Sequence, residues 1–296
     1  MTKSRFHPLL RLMRPHQWIK NAFLFTGVVF AHAWDDHALV IRVVAAAAAF
    51  SLVSSCVYIF NDWMDRDADR LHPEKRHRPL ASGEVGAGRA LLFGIVLLAS
   101  GVSLGYWASR TVASLLFIYV IMNVAYTVRL KHVVLLDVFI ISAGFMLRIL
   151  AGTVGFDLEP SQWLLLCGLM LTLFLGFTKR RAEINACTNL HAGKRGNESR
   201  GVTNYTLTLL DQMIGITATG VIVSYSLYTM SSDTILLHGT SNLIYTVPIL
   251  VYGIFRYIYL VHDRDMGSDV ARDLFRDLQL LMVIIGWIAA TLWLIA

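Results

Sequence analysis

The strongest constraint on this chain is a recurrence of apolar runs, each about as long as a bilayer is thick. A spanning helix needs about 20 mostly apolar residues, fewer where polar anchors snorkel. Nine runs meet that measure: Trp18 to Ala33, Val40 to Phe60, Ala90 to Ala108, Val112 to Val128, Val133 to Thr153, Trp163 to Phe177, Met213 to Met230, Leu243 to Val261 and Leu278 to Ile295. With 56% hydrophobic and 16% charged residues and a mean hydropathy of +0.57, a soluble domain is excluded. The expected fold is all-α: a polytopic membrane helical bundle of nine transmembrane helices. No internal repeat or long Gly/Ser or Pro-rich linker divides the chain, so 1–296 reads as a single transmembrane domain.

Assigning the 26 Lys and Arg residues to alternate sides puts 23 of them on one face, with Arg42 and Arg110 near the other and Arg148 inside a span. By the positive-inside rule the N-terminus is cytoplasmic, the C-terminus outside, and the chemistry faces the cytoplasm from the inner (plasma) membrane. The basic, amphipathic start lacks an apolar core followed by a cleavage site, and is expected to be a retained helix lying on the membrane surface. The net charge of +6 sits in short loops, where topology and anionic ligands explain it without nucleic acid. Cys56, Cys167 and Cys187 are scattered and suggest neither disulfides nor zinc.

The polar signal is densest where the second run ends, at NDWMDRDAD, Asn61 to Asp69. Asn61, Asp65 and Asp69 are four apart and Asp62 is one step on, so in a helix the four side chains share an arc of about 100°. Oxygen ligands gathered this way suit Mg²⁺, which takes one or two carboxylates and completes its shell with water and substrate phosphates. A solvated acidic helix end, with Arg66 and Arg70 as partners, is the competing explanation. The helix is expected to stop at Pro73, and Lys75, Arg76 and Arg78 follow. A metal face beside a basic loop is what a diphosphate requires, although topology alone also places cations here. Arg78 favours the ligand role; His72 and His77 read as loop histidines.

Further polar groups stand at the same side of the membrane. Lys20 and Asn21 edge the first run beside Trp18, and Tyr126, Arg129 and Lys131 edge the fourth. Each is open to phosphate binding or to snorkelling. Asp137 and Arg148 lie eleven residues apart in the fifth run, on one helical face but about 16 Å apart, too far to pair. Asp137 could join the metal site or hold Lys131, whereas Arg148 reads as a lock on a neighbouring helix or as closing the floor of a pocket. FTKRRAEI places Lys179 and Glu183 four apart beside Arg180 and Arg181, as an intrahelical pair or a second anion clamp. Asn185 to Tyr205 has the glycines of a lid, and Asp269 and Asp273 form either another metal face or an alternating-charge helix.

These segments carry a resemblance. The chain resembles the UbiA superfamily of intramembrane prenyltransferases, nine-helix bundles with an NDxxDxxxD signature after the second helix. That signature is matched in full at Asn61, Asp62, Asp65 and Asp69. Within the superfamily it is most similar to the branch that moves phosphoribose onto polyprenyl phosphate. The likeness covers nearly the whole length, through RPHQWIKN, DRxHPxKxxRPLASG, YTVRLK, LLDVFIISAGFMLRILAG, GFTKRRAE and GSDxxxxLFRD. The quinone-pathway members carry a second aspartate-rich motif after the sixth helix; here KRRAE stands in that place. Asp269-Val270-Ala271 also departs from the Asp-Pro-Thr common in relatives.

The resemblance and the charge arrangement together imply a Mg²⁺-dependent transferase. Its donor would be phosphoribosyl pyrophosphate, its acceptor a polyprenyl (decaprenyl) phosphate, and pyrophosphate would leave. Asn61, Asp62, Asp65 and Asp69 would hold Mg²⁺ on the leaving group, and Lys75 and Arg78 would neutralise its charge. Lys179 and Arg180 would take the 5-phosphate, while Lys20, Tyr126 and Lys131 position a phosphate group. The family also implies contact with membrane lipids and a homotrimer. The alternative is a prenyltransferase that uses a polyprenyl diphosphate donor and an aromatic acceptor. A transporter could own intramembrane charges too, but the repeated halves or broken spans common in such folds are not found.

Overall fold

The computed structural model describes residues 7–72, 75–191, 205–263, 266–267 and 276–295. Pro73, most of the glycine-bearing Asn185 to Tyr205 segment, Asp269 and Asp273 lie outside the described residues. Helices form every long element, and no strand occurs among the described residues. The chain divides into two compact units, Met1–Val133 with Gly144–Pro160, and Val134–Ala143 with Ser161–Ala296.

Unit one opens with α1 (Pro8–Met13), a 3-10 segment (Pro15–Phe25) and α2 (Thr26–Phe30). It continues through α3 (His37–Met64), α4 (Arg66–Leu71), α5 (Ala87–Ala108), α6 (Arg110–Val128) and the C-terminal part of α7 (Leu136–Gly152). Asp36 starts α3 by accepting the Leu39 N–H at 3.0 Å, satisfying a donor the helix end would otherwise leave bare. At 28 residues α3 is about 42 Å long, against a hydrocarbon core of about 30 Å. Its last turns therefore reach past the apolar layer, and they are the turns that carry Asn61 and Asp62.

Close packing explains the pairing of α5 with α3. Gly94, Gly101 and Gly105 fall on one face of α5, and a Cβ on Gly101 would press on the Ala49 carbonyl and Val53. Lipid is as apolar as a leucine side chain, so contact between bare backbones, more than exclusion of water, holds such helices together. Around this seam Val43, Ala46, Phe50, Val53, Val112, Leu116 and Tyr119 form the buried core.

Arg148 crosses that core. Its Nε donates to Asn21 Oδ1 at 2.7 Å, Nη1 to the Gly144 carbonyl at 2.7 Å and Nη2 to the Tyr119 hydroxyl at 3.2 Å. Its guanidinium carbon lies 4.9 Å from the Tyr119 ring centre and 5.7 Å from that of Phe50. All these partners are neutral, so the side chain ties the 3-10 segment, α3, α6 and α7 together by direction and stacking rather than by an ion pair.

Unit two holds the first part of α7, then α8 (Gln162–His191), α9 (Leu207–Met230), α10 (Ser232–His238), α11 (Val247–Asp263) and α12 (Leu278–Ile295). α8 and α9 pack along their length, with Gly220 leaving room for Met170. Asp277 starts α12 by accepting the Leu280 N–H at 2.8 Å while Arg256 binds the same carboxylate at 2.6 Å.

Eight helices among the described residues are long and apolar enough to cross a membrane. Seven of the eight expected runs from Val40 onward appear as one helix each. In the remaining one, Leu243 to Val261, a 3-10 turn at Asn242–Thr246 leads into α11. The expected first span differs. Pro15–Phe25 winds as a 3-10 helix, far longer than the usual three or four residues, and only Thr26–Phe30 is α-helical. The end of this segment approaches α7 closely: a Cβ on Gly152 would overlap the Leu24 carbonyl, and one on Gly27, in α2, would overlap the Gly152 carbonyl.

Candidate active site

The aspartate motif is built by a break between two helices. α3 ends at Met64, Asp65 takes φ −91° and ψ 5°, and α4 resumes at Arg66. Helical hydrogen bonds persist across the break, from Asp65 N to the Asn61 carbonyl at 2.9 Å and from Asp69 N to the Asp65 carbonyl at 2.8 Å. Because the screw is nearly preserved, Asp62 and Asp69, two turns apart, still face one another's side of the helix.

Both of those carboxylates are buried, Asp62 to 3% exposure and Asp69 to 4%, so each must find a counter-charge inside the protein. Arg78 Nη1 supplies one to both, at 3.0 Å from Asp62 Oδ1 and 2.7 Å from Asp69 Oδ2. A single positive nitrogen bridging two carboxylates stands where a cation of higher charge would also be stable. Asp62 Oδ1 accepts a second bond from Arg14 Nη2 at 2.5 Å. The more open Asp65 pairs with Lys131 Nζ at 2.6 Å. Three carboxylates thus meet three cations, all within unit one.

Arg14 is the participant that the sequence did not reveal. It caps α1 with φ 52° and ψ 60°, a left-handed conformation uncommon for a non-glycine residue. That turn aims its guanidinium over the Tyr58 ring, 5.1 Å from the centre, and onto Asp62, 48 positions along the chain. Its place at the head of RPHQWIKN, just before a proline, was the available signal, and the residue before a proline is ordinarily extended rather than left-handed.

Other expected residues are distributed as follows. Asn61 is half-buried on α3 next to Asp62. Lys75 is exposed on a 3-10 turn and makes no ion pair among the described residues. Lys20 lies over the Phe145 ring at 5.9 Å, and Tyr126 is half-buried in the last turn of α6. Lys131 pairs with Asp65, and Asp137 is engaged within unit two.

There Asp137, at the start of α7, accepts from Arg180 Nε at 2.7 Å and from the Tyr205 hydroxyl at 2.7 Å. Tyr205 in turn accepts the Leu135 N–H at 2.6 Å, where Leu135 has φ 68°. Burial, and then the hydrogen bond to Asp137, push the Tyr205 phenol up, keeping it a donor. Arg180 also binds Glu183 at 2.6 Å, and Arg181 binds Asp211 at 2.6 Å. Of the KRR run only Lys179 is lightly held, 47% exposed and 3.9 Å from Glu183.

The carboxylates and amide of the aspartate motif are hard oxygen donors of the type Mg²⁺ takes, and the bridged Asp62–Asp69 pair suits a cation by charge. Among the described residues no group of three His, Cys, Asp or Glu is gathered closely enough to hold a metal; the cations occupy the carboxylates instead.

An all-helical membrane fold with this signature at the end of a long apolar helix defines a class of intramembrane transferase. Residues 22–278 match the model of the UbiA prenyltransferase family, and the chain belongs to that family. It is 32% identical to the decaprenyl-phosphate phosphoribosyltransferase of Mycolicibacterium smegmatis, over 78% of this chain and 73% of that one. It is 29% identical to the protein of the same name from Mycobacterium tuberculosis H37Rv, over 95% and 92%. Its fold is similar to that of a UbiA homologue from Archaeoglobus fulgidus bound to GPP and Mg²⁺, with a TM-score of 0.71, 16% identity and coverage of 98% and 99%.

Proposed function

We propose that this protein transfers 5-phosphoribose from phosphoribosyl pyrophosphate to a polyprenyl phosphate at the cytoplasmic face of the membrane, releasing pyrophosphate. The observation that carries this is the matched cluster of unit one, in which Asp62, Asp65 and Asp69 each meet Arg14, Arg78 or Lys131. A metal-bound diphosphate finds both signs of partner there. The names of relatives about 30% identical support transfer of a phosphoribosyl group and a decaprenyl-phosphate acceptor.

Bound Mg²⁺ would supply charge neutralisation on the leaving pyrophosphate, held by Asn61, Asp62, Asp65 and Asp69. Arg78 and Arg14 would turn from carboxylate to phosphate oxygens, and Lys75 and Lys131 would add charge as the C1–O bond to pyrophosphate breaks. An oxygen of the acceptor phosphate forms the new bond to C1 with inversion. That oxygen is already anionic at neutral pH, so no general base is required and positioning dominates. Lys179, the least committed cation of the KRR run, is the residue of that run best able to take a phosphate. Arg180 and Arg181 carry compensating carboxylates and are weaker candidates.

Nine spans belong to the same proposal. A 3-10 helix rises about 2.0 Å per residue, so Pro15–Phe25 with α2 covers about 30 Å in 16 residues, enough to cross. Nine spans put the termini on opposite faces, and the basic loops assign the N-terminus to the cytoplasm.

The protein supplied with Mg²⁺, phosphoribosyl pyrophosphate and decaprenyl phosphate is expected to release pyrophosphate and form a lipid-linked phosphoribose. Asp69→Ala and Asp65→Ala are each expected to lower the rate at least about 100-fold. An unchanged rate in either variant would remove that residue from the metal site.

A further inference from the structure

The charges of the cluster in unit one cancel: Asp62, Asp65 and Asp69 against Arg14, Arg78 and Lys131. Two of the carboxylates are almost fully enclosed, so their pairing is not a solvated surface contact that an ion from water displaces freely. Bare divalent metal approaching this cluster meets no net negative charge and must part guanidinium groups from their carboxylates while offering them no anion in exchange. A metal already carrying a diphosphate is different, because its oxygens offer the displaced cations new partners.

We infer that Arg14 is a placeholder counter-ion on Asp62, which keeps free metal out and hands the carboxylate over only when a diphosphate arrives with the metal. Arg14, unlike Arg78, binds a single carboxylate, and it is held from a short capping turn rather than from a helix. It is also poised on the Tyr58 ring, a surface on which a guanidinium can pivot without losing its contact. Arg14 thus sets the order of binding. This rests on the diphosphate role proposed above, and it goes further in predicting coupling between metal and diphosphate. Such coupling is reciprocal: the factor by which diphosphate tightens metal is the factor by which metal tightens diphosphate.

The test uses the full chain in lipid nanodiscs, Mn²⁺ as the metal and inorganic pyrophosphate as the diphosphate. Mn²⁺ alone is followed by the loss of its free electron paramagnetic resonance signal, and radiolabelled pyrophosphate by retention on the protein at fixed Mn²⁺. Wild type is expected to bind Mn²⁺ alone weakly and to retain pyrophosphate with it. Arg14→Gln leaves the cluster one charge negative. It should bind Mn²⁺ alone at least about tenfold more tightly and retain pyrophosphate at least about tenfold more weakly, since one charge a few ångströms from a divalent ion is worth that much. Arg14→Lys, which keeps the charge, should bind Mn²⁺ alone as wild type does; that shows the effect is one of charge and not of a disturbed turn. If Arg14→Gln matches wild type in both measurements, or if Gln and Lys weaken Mn²⁺ alike, the placeholder role is overturned. Wild type that retains no pyrophosphate with Mn²⁺ would instead overturn the diphosphate role itself.

Discussion

Arg148 shows how a charged side chain can serve geometry. It is 4% exposed and spends its donors on an amide, a backbone carbonyl and a phenol, between aromatic rings. Lysine keeps the charge, with its desolvation cost, but cannot reach three directions or stack as a plane. Arg148→Lys is therefore expected to destabilise at least as much as Arg148→Met, by about 2–3 kcal/mol, with Asn21 Oδ1 left unpaired in both. Thermal unfolding in one detergent measures this, and a lysine variant as stable as wild type would show that charge alone suffices. At this scale the motif spacing made Asp62, Asp65 and Asp69 legible, because helical periodicity survives the break at Asp65. Arg14 was not legible. Its contact with Asp62 depends on one left-handed residue 48 positions away, and no periodicity encodes that. The partner of Asp137 was likewise hidden, since Arg180 and Tyr205 are brought to it by folding and not by spacing.

Among the elements, the apolar runs predicted eight of the long helices because length and hydropathy are local properties. The 3-10 segment escaped them. It meets α7 where Gly27 and Gly152 let two backbones touch, a contact that no local property encodes. Gly152→Ala should thus push the segment off α7 and cost at least about 2 kcal/mol, the price of overpacking a filled site. Gly215→Ala is the matched control: it lies within α9 with nothing within 4 Å of the new methyl, and should be neutral or stabilise by up to about 1 kcal/mol. Equal melting temperatures for the two variants would contradict the close-approach account.

For the whole molecule, the basic residues point to a cytoplasmic N-terminus and nine spans. Single cysteines introduced into an otherwise cysteine-free chain, in the short loops near Asp35 and near Ser109, are expected to react with an impermeant thiol reagent from outside intact cells. One placed near Lys75 should react only after permeabilisation. The reverse pattern would invert the topology and move the chemistry to the other face. The division into two compact units was not legible at all, as its boundary falls inside α7, a continuous apolar helix with no break in composition. The donor proposed here rests on KRRAE and the resemblance. Pairing of Arg180 and Arg181 with carboxylates narrows that signal to Lys179. The most direct measurement is mass spectrometry of the lipid product when the purified protein is offered Mg²⁺, decaprenyl phosphate, phosphoribosyl pyrophosphate, a polyprenyl diphosphate and an aromatic acceptor together. The predicted result is a decaprenyl phosphate extended by one phosphoribose, with an equal amount of pyrophosphate released. A prenylated aromatic product without phosphoribosylated lipid would contradict it.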